Sequence, residues 1–83
     1  MDYKRYTVYY WDRRDQKSFM DDYDIELSDY LDKNIFDVKD YGTLLGTFDT
    51  EDEANDCASK QMNIGSYYDL ICIWDSSERC WFN

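Results

Sequence analysis

Histidine and proline are both absent from these 83 residues, and nine basic side chains stand against 19 acidic ones. Without histidine the chain has no side chain that titrates near neutrality. It also has no Ser-His or Cys-His nucleophile pair and few of the ligand sets that hold zinc. Its three cysteines, Cys57, Cys72 and Cys80, are 15 and 8 residues apart, which matches no zinc or redox pattern. They read as small buried apolar residues. Gly42 and Gly46 are too sparse to cradle a phosphate, and no Walker or dinucleotide pattern is present. A calcium loop counted from Asp22 or Asp49 fails because Leu27 or Ala54 stands where glycine is needed. No run approaches the roughly 18 apolar residues of a spanning helix, and no signal-peptide pattern opens the chain. These absences point to a cytoplasmic protein with free thiols, no metal, no cofactor and no catalytic residue.

What the chain has in excess is negative charge, and the charge is concentrated. Between Asp21 and Asp56 lie 13 carboxylates and only two lysines, Lys33 and Lys39. Crowding like charges in a small domain opposes compaction, so a strongly basic partner surface is the natural complement. Direct contact with nucleic acid or an anionic membrane is disfavoured, because phosphates are bound by Lys and Arg. A length of 83 residues allows one domain, residues 1–83, with a small core. Nine tyrosines, three tryptophans and four phenylalanines enlarge that core and argue against disorder.

Tyr6–Trp11 has strand composition, with Tyr6, Val8 and Tyr10 on one face and Thr7, Tyr9 and Trp11 on the other. Both faces are apolar enough to be covered, which suggests an inner strand or one face kept for a partner. Asp12–Asp15 reads as a polar turn, and Gln16–Met20 as a short second strand or a loop. Leu27, Tyr30, Leu31 and Ile35 share one helical face, which favours a short helix within 26–34 started by Asp24, Glu26 or Ser28 over the extended reading that the alternation of Tyr23, Ile25 and Leu27 also allows. Thr43–Phe48 reads as a strand. Thr50-x-x-Glu53 is a capping box, and behind it Ala54, Cys57, Ala58 and Met62 form a narrow stripe. A helix over 51–62 follows, stopped by Gly65 and lying close against a sheet. Tyr67–Trp74 and Arg79–Phe82 form a hairpin around Asp75–Glu78, with Ile73 opposite Cys80 and Cys72 opposite Trp81. That register puts Cys72 and Cys80 on opposite faces, where no disulfide can join them. It also gives the core to the face of Ile71 and Ile73. The sum is an α+β domain with a mostly antiparallel sheet of three to five strands and one or two short helices.

Glu51, Asp52 and Glu53 complement the start of a helix. Asp21, Asp22, Asp24, Glu26, Asp29, Asp32, Asp37 and Asp40 have no such local reason. Displayed at intervals comparable to strand phosphates, they suit a Lys/Arg groove, with Tyr23, Tyr30 and Tyr41 as anchors beside them, and the alternative is a solvated acidic surface that only confers solubility. In size, in the acidic block from Asp21 to Asp56 and in the Tyr-rich strand Tyr6–Trp11, the chain resembles the small acidic inhibitors encoded by bacteriophages, including anti-CRISPR and other anti-defence proteins. The resemblance is one of type and carries no residue-level role. It implies a non-catalytic inhibitor acting in the host cytoplasm on a nucleoprotein or nuclease, often at its DNA- or guide-binding surface. An antitoxin or immunity protein covering a nuclease active site shares the same physics. A phage structural or assembly protein and a small carboxylate enzyme are readings from other classes, and a homodimer is compatible with all of these.

Overall fold

Tyr6–Trp11 forms the first strand, β1, as its aromatic and β-branched residues favour. The computed structural model describes residues 4–62 and 70–82. After β1 come α1 (Arg13–Tyr23), α2 (Leu27–Asp32), a 3-10 helix (Phe36–Tyr41), β2 (Thr43–Phe48), α3 (Glu51–Met62), β3 (Leu70–Asp75) and β4 (Cys80–Phe82). The strands make one antiparallel sheet in the order β2-β1-β3-β4. This is the expected α+β class, with four strands among the described residues but three α-helices where the sequence pattern predicts one or two.

β1 is an inner strand covered on both faces. On one side Tyr6 and Val8 pack with Ile73 and Ala54. On the other, Tyr9 and Trp11 pack with Phe19, Leu27, Leu31, Val38, Cys72 and Trp74. The expectation that the Ile71 and Ile73 face alone is the core is therefore corrected. Both faces are buried, and the larger cluster lies with Cys72 and Trp74. α3 covers the smaller one. The Thr50 hydroxyl accepts from the Glu53 N–H at 3.3 Å and donates to the Glu53 carboxylate at 3.0 Å, which starts the helix where the sequence placed it. Its inward side chains, Ala54, Cys57 and Ala58, are small, so the helix approaches the sheet closely. Gly65, read as the stop, and residues 67–69, read as strand, lie outside the described residues.

α1 overturns the reading of a turn at 12–15 and a strand or loop at 16–20. Asp12 is its N-cap. The Asp12 carboxylate accepts from the Asp15 N–H at 2.8 Å, and the Asp15 carboxylate accepts from the Asp12 N–H at 3.2 Å. This is a capping box built from two aspartates. Phe19 is the only buried residue of the helix, so no apolar stripe announces it. α2 begins at Glu26, one of the three starts considered, and buries Leu27 and Leu31. α1, α2 and the 3-10 helix together roof the larger cluster. Trp81 ties that roof to the sheet: its indole N–H donates to the Ile35 carbonyl at 2.9 Å and its backbone N–H to the Asn34 side chain at 3.2 Å.

The hairpin register is shifted by two residues from the one expected. Trp74 faces Trp81, Asp75 faces Cys80, and Arg79 takes a left-handed conformation in the turn. A shift of two preserves the faces. Cys80 thus still lies on the Ile73 side and Cys72 on the Trp74 side, and all three thiols are free. The shift has a cause in Asp75, which is only 4% exposed. Its carboxylate accepts from the Ser77 and Glu78 N–H groups at 2.9 and 3.2 Å, which shapes the turn. It also receives Arg5 Nε and Nη2 at 2.9 and 3.0 Å.

Arg5, with those backbone donors, holds the Asp75 carboxyl below the usual range. A depressed value contributes stability above the unfolded pKa of about 3.9 and loses it as pH falls through the folded value. Asp75→Asn should therefore cost about 1–2 kcal/mol at neutral pH, the worth of a hydrogen bond to a charged group reduced by the solvent exposure of Arg5. The gap to the native chain should close below about pH 4 in urea titrations. A gap independent of pH would contradict the assignment.

Candidate functional site

The end of α1, the whole of α2 and the 3-10 helix carry the eight carboxylates singled out above. Asp21, Asp22 and Asp24 close α1, Glu26, Asp29 and Asp32 belong to α2, and Asp37 and Asp40 to the 3-10 helix. All eight are exposed. None forms an ion pair with a described residue. Carboxylates elsewhere do find partners: Asp49 meets Lys4 at 3.3 Å, Asp56 meets Lys60 at 3.0 Å and Asp75 meets Arg5. Of the two lysines in the stretch, Lys39 lies over the Phe36 ring at 3.9 Å and Lys33 caps the end of α2.

The three tyrosines of the candidate set converge, and a residue outside that set gathers them. Phe19, fully buried, stacks on Tyr23 at 4.7 Å and meets Tyr30 and Tyr41 edge-on at 4.9 and 5.5 Å. Tyr23 also contacts Tyr30 at 5.3 Å and Tyr41 at 5.8 Å. Tyr23 is 42% exposed, whereas Tyr30 and Tyr41 are half-buried. The result is a rigid aromatic platform with a wet rim. Rings of this kind bring large contact area at low entropy cost. The i, i+4 spacing of Phe19 and Tyr23 was the signal available in the sequence, but it speaks only once 13–23 is known to be helical.

Carboxylates border the platform unevenly. The Tyr41 hydroxyl donates to Asp22 Oδ2 at 2.7 Å, and this bond, with burial, holds the hydroxyl protonated well above the ordinary tyrosine range. Burial, then Tyr23 and Asp37, raise Tyr30 as well. Asp32 and Asp40 act instead on groups at the sheet. Burial, with Asp32 adding, pushes the Cys72 thiol up to about 12, far from a nucleophilic thiolate. Burial, with Asp40 adding, raises Tyr9.

Among the described residues no three His, Cys, Asp or Glu side chains converge to hold a metal ion. No described helix is long and apolar enough to cross a membrane. The arrangement offers fixed negative charge around semi-exposed aromatic rings, which suits binding a cationic surface. No family model, no curated protein and no solved structure matches this chain.

Proposed function

We propose that this protein is a non-catalytic inhibitor that covers a basic nucleic-acid-binding surface of another protein, a host defence effector or nuclease. The observation that carries this reading is the exposure of eight carboxylates, none in an ion pair with a described residue, on the same three elements that carry the Tyr23, Tyr30 and Tyr41 platform, with Asp22 and Asp37 beside its rings. The carboxylates stand in for phosphates and steer the encounter, and the rings supply contact area once docked. The proposed partner is a protein, and no substrate, cofactor or metal enters. The resemblance to phage-encoded anti-CRISPR and other anti-defence inhibitors supports the same reading.

The test is binding to a panel of purified nucleases and nucleoprotein effectors, with DNA as competitor. A basic protein that has no nucleic-acid function serves as control. The true target should be held in competition with DNA and lose affinity steeply between about 50 and 200 mM salt. Replacing Asp21, Asp29 and Asp37 by Lys, one in each element of the face, should weaken that binding by about 100-fold or more. None of the three has an ion pair with a described residue, so circular dichroism should show the fold retained. Unchanged affinity in the triple variant would overturn the proposal.

A further inference from the structure

α1 ends against its own dipole. A helix favours anions at its N-terminal end and cations at its C-terminal end. Asp12 and Asp15 meet that rule at the start of α1, with Arg13 and Arg14 between them, but Asp21, Asp22 and Asp24 close the helix beyond Lys17 with no basic residue in the last turn. Phe19 marks the buried side. At 3.6 residues per turn, Arg13, Lys17 and Asp21 form one exposed stripe opposite it, flanked by Arg14 and Met20, and Asp24 caps the helix at the acidic end. Pairing within the helix does not account for this order. Neither Arg14 nor Lys17 has an ion-pair partner among the described residues, and Lys17 before Asp21 is the less favourable i, i+4 direction. A shallow groove lined by Arg13, Arg14, Gln16, Lys17 and Met20 accompanies the basic half.

We propose that this stripe is a self-association surface on which a second copy of the chain lays its own α1 antiparallel. The stripe is self-complementary under a two-fold axis midway between Lys17 and Asp21. Lys17 then faces Asp21 of the copy and Arg14 faces Asp24, and both contacts recur by symmetry. Met20, 39% exposed, and its mate flank the axis and supply the apolar contact. The antiparallel copy also relieves the dipole conflict at the C-terminal end of each α1, because it brings cations there. A partner of arbitrary shape can match the charges, but an antiparallel α1 matches the charges and the dipole together. One helix pair buries less than a standard interface, and each copy carries −10, so the dimer is weak and dynamic. Asp21 and Asp24 also belong to the acidic face proposed above, so a basic target and the second copy compete for them.

Sedimentation equilibrium on the intact chain, without any target, at about 150 mM salt tests this independently of the inhibitor reading. The native chain should dimerise with a dissociation constant on the order of 100 μM. Lys17→Glu and Asp21→Lys should each weaken the dimer about tenfold or more. The charge-neutral swap carrying both should return it to within about threefold, because the two exchanged side chains again meet across the axis with opposite charge. Lys60→Glu on α3 changes net charge as Lys17→Glu does and should leave the dimer within about threefold of native. Circular dichroism confirms that each variant is folded. A native chain that stays monomeric to about 1 mM would overturn the proposal. So would a Lys60→Glu loss equal to that of Lys17→Glu, or a double swap that restores nothing.

Discussion

Trp11→Ala should leave most of the chain unfolded at physiological temperature. Trp11 is completely buried at the end of β1, against Tyr9 at 6.0 Å and Trp81 at 5.4 Å. Its indole N–H donates to the Val38 carbonyl at 3.2 Å and so fastens the 3-10 helix to the sheet. Truncating a buried Trp costs about 3–5 kcal/mol, and the orphaned Val38 carbonyl adds about 1–3. A domain of this size has little more than about 5 kcal/mol to lose. The check is a urea titration, in which the folded baseline should vanish for this variant. Gly42 shows how closely the ring is held: a Cβ there would lie 2.6 Å from Trp11 Nε1. Gly42→Ala should cost about 1–3 kcal/mol by overpacking, with less of that cost in a Trp11→Phe background. Equal costs in the two backgrounds would show that the clash with Trp11 is not the cause.

Phe19→Ala should be comparably damaging, for a different reason. α1 is anchored by this one buried side chain, and three tyrosines lean on it. Its loss opens a cavity worth about 3–5 kcal/mol and releases the roof of the larger core. Phe19→Leu separates packing from platform. It nearly conserves volume and should cost less than about 1.5 kcal/mol, so the chain stays folded. The near-ultraviolet circular dichroism of the tyrosines should nonetheless fall, because the stacked partner of Tyr23 is gone. A native-like tyrosine signal in Phe19→Leu would show that the rings are positioned without it.

Where the fold was legible in the chain, local chemistry and burial agreed. The Thr50 and Glu53 pair before a stripe of small residues gave α3 to the residue, and the dense β-branched and aromatic run gave β1. α1 failed this test because three local cues pointed elsewhere. Its cap uses Asp15 where a box usually has Glu, it buries a single residue, and its last turn carries carboxylates with no basic residue. The hairpin register was missed because Asp75 is fixed by Arg5, 70 residues away in sequence. The acidic residues of the candidate face could be read directly, since exposure of Asp and Glu is the default. The platform was not legible. Convergence on Phe19 depends on how α1, α2 and the 3-10 helix pack, which no single segment encodes.

The place of β1 between β2 and β3 also bears on how the chain reaches its native state. Tyr6 pairs with Asp75 and Trp11 with Leu70, so the central ladder joins residues about 60 to 70 positions apart. Closing so long a loop before any contact rewards it makes folding slow for a small domain, in the millisecond-to-second range. Until β3 arrives, one side of β1 has no partner, and strands in that condition pair readily with other chains. The acidic stretch lies inside that same loop. Mutual repulsion between chains of net charge −10 acts while the strand is bare, so the acidic stretch also guards the protein against aggregation as it folds.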